Sequence, residues 1–213
     1  TVVDEEIRGQ IQKACRRIGV PGVSVLQPVM VALGHFLKSE GHAEPGRQHV
    51  LDTEYYARIA AMDYAMAHDD GQGTWNLEEA DVVLVGVSRT SKTPTCIYLA
   101  NRGIKAANIP LVTGVPIPEE VYSLTKPLVV GLTKDSKSLV QIRRNRLRML
   151  NNDAETPYAD PESVEEEVLQ AKRLFARQNW PVIDVSRRSI EETAAAILQL
   201  RTQRLEGQVL DAK

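Results

Sequence analysis

The sequence predicts an α/β fold in which a layered, mostly parallel sheet flanked by helices carries a phosphate-binding loop and is preceded by a helical segment. Three observations predict it. Residues 81–87 form a near-continuous apolar run headed by an acidic turn, the pattern of a parallel strand covered on both faces. GVSRTSKT, from Gly86 to Thr93, ends that run and opens a helical pattern. Further short apolar runs then alternate with helical stretches to the end of the chain, which is the order of a βα-layered domain.

The bulk properties agree. The chain has 213 residues, 43% of them hydrophobic, enough to bury a substantial core. A formal charge of -2 and a pI near 6.1 give no sign of a nucleic-acid or membrane-surface protein held by net charge. Cys15 and Cys96 lack metal-ligand spacing and are expected as free thiols in a reducing compartment. No apolar run approaches the roughly 18 residues of a membrane span, so a cytoplasmic location is expected.

Ile7, Ile11, Ala14, Cys15 and Ile18 recur at helical spacing, and Gly19 with Pro21 stops the pattern, predicting a helix over 4–18. Val29 to Leu37 reads as a second helix. GHAEPGRQH has no periodicity and reads as a surface loop, with Arg47 and His49 a candidate anion-binding corner or simply solvated. From Asp52 a third helix carries Tyr55, Tyr56, Ile59, Met62, Tyr64 and Met66 into His68-Asp69-Asp70-Gly71. After the strand at 81–87, TPTCIYLANRG reads as a helix closed by Gly103, and NIPLVTG as a second strand. Residues 126–132 and 181–185 are the third and fourth strands, with helices over about 135–150 and 161–179 between them. Ser189 precedes Glu192 by three residues, a capping box that opens the last helix. Residues 1–80 are thus expected as a mainly helical segment packed on an α/β nucleotide-binding domain, 81–213, the two forming one catalytic unit.

The nucleotide-loop pattern is G-x-x-x-x-G-K followed by Ser or Thr; Gly86, Lys92 and Thr93 match it, and Ser91 replaces the second glycine. Such a loop works because backbone N–H groups converge at a helix N-terminus, where the dipole favours negative charge. Lys92 is then a point charge on phosphates and Thr93 a hydroxyl for Mg2+. The plain alternative is a capped turn with Thr93 as N-cap and Pro94 at the first helical position. Asp69 and Asp70 supply the carboxylates that phosphoryl transfer needs, one to accept a proton and one to hold Mg2+, unless they are merely a solvated helix end. Arg143, Arg144, Arg146 and Arg148 form a basic helix face, read as solvated or as docking an acidic partner. Asp184, with Ser186 and Arg187, stands where a loop would pass over a nucleotide base.

IAAMDYAMAHDDG, ADVVLVGVSRTSKTPTCIYLANRGIKAANIPLV and NWPVIDVSRRSIEETAAAI, with PGRQHVLD and KPLVVGL, together resemble the pyruvate, phosphate dikinase regulatory protein family. Relatives acting on phosphoenolpyruvate synthase share this plan, but their loop more often looks like GVSRCGKTPTS, which favours the dikinase branch. The resemblance implies a bifunctional enzyme that phosphorylates a dikinase threonine from ADP. It also implies the reverse, removal of that phosphate by inorganic phosphate with release of pyrophosphate. Full-length members carry a further N-terminal domain, expected to be absent here.

Carried over by residue, the ADP loop is Gly86, Val87, Ser88, Arg89, Thr90, Ser91, Lys92 and Thr93. The catalytic set is Lys92, Asp69, Asp70 and His68, and the Mg2+ ligands are Thr93 and Asp70. Expected partners are the dikinase, ADP, phosphate and a second copy of the chain in a homodimer, with neither nucleic acid nor membrane. Three alternatives accompany this reading: a regulator of phosphoenolpyruvate synthase, a nucleotide-binding module inactive without its N-terminal domain, and a small-metabolite kinase using ATP.

Overall fold

The computed structural model describes residues 4–38, 53–71, 73, 75–150 and 156–211. The chain divides into two compact units, residues 1–52 and 53–213, so the helix leading into His68-Asp69-Asp70-Gly71 belongs with the sheet. Within the leading unit, α1 (Glu5–Ile18) begins where the Asp4 side chain accepts from the Ile7 amide at 2.9 Å. It ends at Gly19, whose φ of 70° suits the left-handed cap. The second helix, α2 (Leu26–Leu37), opens three residues before Val29. Arg47 and His49 lie outside the described residues.

The second unit contains α3 (Thr53–Ala67), β1 (Val82–Val87), α4 (Lys92–Ala100), β2 (Ala106–Leu111), α5 (Glu120–Ser123) and β3 (Leu128–Thr133). It continues with α6 (Ser136–Met149), α7 (Pro161–Arg177), β4 (Val182–Asp184) and α8 (Ile190–Asp211). Caps account for most helix starts. Asp135 accepts from the Ser138 amide and Asp160 from that of Ser163, each at 2.9 Å, and Pro161 takes the first helical position. The capping box closes as read: the Ser189 amide donates to Glu192 at 2.8 Å and the Glu192 amide to Ser189 Oγ at 3.1 Å. The second strand starts at Ala106 and stops before Val112, where the Val115 amide turns back to the Val112 carbonyl.

All strand pairings are parallel, in the order β2-β1-β3-β4. The chain leaves β1 toward one edge and later leaves β3 toward the other. Right-handed crossovers in opposite directions must put their helices on opposite faces, and they do. Val83, Val85, Ala107, Ile109 and Val129 form one core cluster with Leu139 and Val140 of α6 and with Val164, Val168 and Phe175 of α7. Val82, Leu84, Ala106, Val130 and Leu132 form the other with Leu99 of α4 and Ile197 of α8. The α3 residues Ala61 and Ala65 join the second cluster while Tyr64 joins the first. The strand order reverses between β1 and β3, and the crevice at the carboxyl ends there is where open α/β sheets place ligands. The Gly86–Thr93 loop leaves β1 at that point.

Candidate functional site

Two bonds to one carbonyl hold the loop in shape. Thr90 Oγ1 donates to the Val87 carbonyl at 2.9 Å, and Lys92 Nζ donates to the same oxygen at 3.0 Å. Gly86 is required by close approach: a Cβ there would stand 2.6 Å from the Leu132 carbonyl oxygen and 2.9 Å from Thr90 Oγ1. Arg89 and Ser91 adopt positive φ, 75° and 61°. Ser91 therefore takes, without being glycine, the left-handed conformation that the second glycine of the nucleotide-loop pattern would supply.

The helix opens two residues earlier than the capped-turn alternative required, at Lys92, with Ser91 at the cap position and no side-chain cap bond. Its first-turn amides have no carbonyl within the helix to bond, which together with the dipole favours an anion. Lys92 is 5% exposed, and burial pulls its ammonium from the ordinary 10.5 down to about 8. Asp70, Cys96 and Asp69 oppose that fall, and Arg143 adds to it.

The acid corner is built around a residue the sequence reading missed. Asn108 lies opposite Leu84 on β2, and its Nδ2 donates to Asp69 Oδ1 at 2.6 Å, to Thr93 Oγ1 at 3.0 Å and to Asp70 Oδ1 at 3.2 Å. Thr93 Oγ1 in turn donates to Asp69 Oδ1 at 2.8 Å. Main-chain bonds lock the turn to the strand, from the Asn108 amide to the His68 carbonyl at 2.9 Å and from the Gly71 amide to the Asn108 carbonyl at 3.0 Å. The only signal for Asn108 was an amide in an otherwise apolar strand, NIPLV.

His68 does not reach the opening. It is 1% exposed, stacked on Tyr64 with ring centroids 3.9 Å apart. Its Nδ1 lies 2.8 Å from the Tyr64 carbonyl and its Nε2 2.9 Å from that of Trp75, so both nitrogens serve the turn. The catalytic part expected of His68 is thereby replaced by a positional one, because no ring nitrogen is directed at the cleft.

Asp70, Ser88, Arg89, Ser91, Lys92 and Thr93 line one side of an open cleft of about 580 Å³, with Lys134, Ile142, Arg146, Leu147, Leu150 and Tyr158 along the rest. Gly86, Val87 and Thr90 shape the loop from beneath without lining the cleft. Of the two carboxylates, Asp70 is exposed and lines it, whereas Asp69 is half-buried behind Thr93. Asp184 is elsewhere: its Oδ1 accepts from the Ser186 amide at 2.8 Å, and Ser186 Oγ accepts from the Asp135 amide. Arg143 overturns the reading of a solvated basic face. It is 1% exposed, and its Nη2 lies 2.7 Å from Glu167 Oε2. Arg146 of the same face lines the cleft.

The donors fit a phosphorylated ligand and Mg2+. Thr93 Oγ1, Asp69 Oδ1 and Asp70 Oδ1 are hard oxygens gathered on one amide. Among the described residues no group of three or more His, Cys, Asp or Glu side chains forms a self-sufficient metal cage. That is the usual situation for Mg2+, which takes one or two carboxylates and completes its shell with phosphate and water. Both cysteines are free, and burial pushes the Cys96 thiol up. No helix among the described residues is long and apolar enough to cross a membrane.

An α/β domain with a lysine-bearing loop and an acid corner at one sheet crevice defines a class rather than an activity. The comparisons narrow it: the kinase/pyrophosphorylase family matches residues 1–198, and the chain belongs to that family. A protein of Paramagnetospirillum magneticum is 57% identical over 213 residues, covering 100% of this chain and 68% of the relative. One from Rhodospirillum rubrum is 56% identical, covering 93% of this chain and 72% of its own length. One from Maricaulis maris is also 56% identical, covering 94% and 71%. The names of all three carry the words "pyruvate, phosphate dikinase regulatory protein".

Proposed function

We propose that this chain is the catalytic part of a regulator of pyruvate, phosphate dikinase, acting as an ADP-dependent protein threonine kinase and as a phosphate-dependent phosphorylase. The observation that carries the reading is the meeting of loop and acid corner at Thr93, whose hydroxyl donates to Asp69 at 2.8 Å. Family membership and the names of the relatives support the target.

Phosphoryl transfer asks for positioning and charge neutralisation more than for covalent chemistry. In the forward direction the loop amides and Lys92 hold the two phosphates of ADP, and Lys92 exchanges its bond to the Val87 carbonyl for a phosphate oxygen. Asp70 lines the cleft and accepts the proton of the acceptor threonine hydroxyl as the β-phosphoryl group moves to its oxygen, leaving AMP. Asp69 fixes the Thr93 hydroxyl, and Asn108 holds both carboxylates in register. In the reverse direction inorganic phosphate attacks the phosphothreonine phosphorus. Asp70 returns the proton to the departing threonine oxygen, and pyrophosphate leaves. Thr93, with Asp69 beside it, would hold Mg2+, which when bound would supply charge neutralisation for phosphoryl transfer. Of the two duties expected of Asp70, the proton falls to it because it is the exposed member of the pair.

The test is transfer of label from β-32P-labelled ADP to a threonine of the dikinase. Wild type is expected to transfer, and Asp70→Asn to lose about 100-fold or more while melting normally. Label arriving from γ-32P-labelled ATP instead would sink the ADP assignment. ADP binding without labelled product would leave a binding module.

A further inference from the structure

The largest fully buried side chain of the described residues is a charged one, Arg143, and it touches the loop. Its Nη2 donates to the Ser88 carbonyl at 3.3 Å as well as to Glu167 Oε2 at 2.7 Å. Nη1 donates to the Tyr158 carbonyl at 2.9 Å, and the guanidinium lies 4.7 Å from the centroid of the Tyr158 ring. The Nε has no partner among the described residues. The guanidinium is thus spent on two backbone carbonyls and one carboxylate oxygen, and the carbonyls belong to residues that line the cleft.

We infer that Arg143 is the positioning residue that aims the loop's amides at the ligand, with Glu167 as its neutralising partner; this rests on the reading of the loop as a phosphate site. The argument is peptide geometry. In a trans peptide the C=O and the following N–H point in opposite directions, and the described chain has no cis bond. Pinning the Ser88 carbonyl on Arg143 therefore turns the Arg89 amide away from the core. The Val87 carbonyl, held by Thr90 Oγ1 and, until ligand binds, by Lys92 Nζ, does the same for the Ser88 amide. Two successive amides are presented together, the arrangement that makes a concavity for an anion. Arg143 itself attracts little, since Glu167 cancels its charge at 2.7 Å. A lysine at 143 would keep the ion pair but lacks the fork that reaches two carbonyls at once.

The experiment compares wild type, Arg143→Lys and the double variant Arg143→Met with Glu167→Met. Each is followed by thermal melting, by calorimetric titration with ADP and with inorganic pyrophosphate, and by amide NMR at saturating pyrophosphate. Replacing both partners of a buried pair by apolar residues is often neutral for stability, so the double variant is expected to melt close to wild type. Its dissociation constants for both ligands are expected to rise by about ten-fold or more. The Arg89 amide proton should move downfield on pyrophosphate binding in wild type and fail to do so in the double variant. If the double variant melts low, Arg143→Lys decides, and weaker binding of both ligands with wild-type melting supports the inference. Wild-type affinities together with a wild-type Arg89 shift in either folded variant overturn it. Wild type that binds neither ADP nor pyrophosphate removes the reading of the loop, and this inference with it.

Discussion

The Gly86–Thr93 loop and the acid corner of Asp69, Asp70 and Asn108 meet at Thr93, yet they are assembled in different ways. The loop is eight consecutive residues whose shape is set by a glycine with no room for a Cβ, two left-handed residues and two bonds to one carbonyl. The corner draws on two segments far apart in the chain, and its geometry exists only because β2 pairs with β1 in a register that sets Asn108 opposite Leu84. Spacing along a chain therefore announces the first kind of site, and only topology completes the second. The two remain electrostatically joined, since Asp70 and Asp69 both hold the Lys92 ammonium up against burial.

Replacing Lys92 by methionine should break the comparison most severely. Loss of the point charge is expected to lower phosphoryl transfer by about 100- to 1,000-fold. The unliganded protein should nevertheless become more stable. Lys92 titrates near 8 folded against 10.5 unfolded, so between those values the unfolded chain holds a proton that the folded chain lacks, and stability rises with pH. Below pH 8 the buried charge costs on the order of 3 kcal/mol, which a methionine of similar length does not. Melting at pH 7 should rise by several degrees in Lys92→Met, and the climb in stability between pH 8 and 10.5 should flatten. A variant that melts lower at pH 7 would contradict the burial argument. Higher stability with lost transfer would mark a stability cost retained for function on the loop side of the site.

How much of this was legible follows the same division. The start of the last helix at Ser189 could be read because a capping box is a local bond between near neighbours, and the helices over about 4–18, 135–150 and 161–179 because their patterning is helical. The strands β1 and β3, buried along their whole length, could be read because apolar runs covered on both faces leave a compositional trace. Gly86 and Lys92 were visible by spacing. Ser91 was visible as a departure, but its φ of 61° was not. Asn108 was hidden because one amide in NIPLV signals nothing until a neighbouring strand and a turn are placed beside it. Arg143 was hidden more deeply: four arginines on one helix read as one solvated face, and only the packing of α7 shows that Glu167 draws one of them inward. His68 was read as chemistry because it precedes two aspartates, whereas its ring bonds show it fastening the turn.

A smaller effect is expected from Asn108→Leu, which keeps the volume and removes the donor. Asp69 then loses a 2.6 Å bond and Asp70 a 3.2 Å one, so the two carboxylates are no longer held in register. Transfer should fall about ten-fold, and stability by about 1–3 kcal/mol, for carboxylate oxygens left without their donor. ADP affinity should stay within about three-fold, since a single neutral bond lost from the loop's neighbour is worth that much or less. Calorimetry and the transfer assay together decide. An equal loss in both would mean that corner and loop act as a single site.

The finest probe is Ser91→Gly, which makes the loop conform to the nucleotide-loop pattern. A non-glycine residue at φ 61° costs about 1–2 kcal/mol. Glycine removes that strain but adds about 0.5–1 kcal/mol of unfolded-state entropy. The net gain is therefore expected at about 1 kcal/mol or less, a rise of about 2–4 °C at most in melting temperature. What the substitution decides lies in binding. Ser91 lines the cleft, and its hydroxyl makes no cap bond to the helix it precedes. If the serine is present only because its small side chain tolerates the left-handed turn, ADP affinity in Ser91→Gly stays within about three-fold of wild type, as loss of a bystander hydroxyl requires. If affinity drops about ten-fold, the hydroxyl is itself a phosphate donor, worth a charge-assisted bond. In that case the loop, like the acid corner, relies on side chains as well as on backbone geometry.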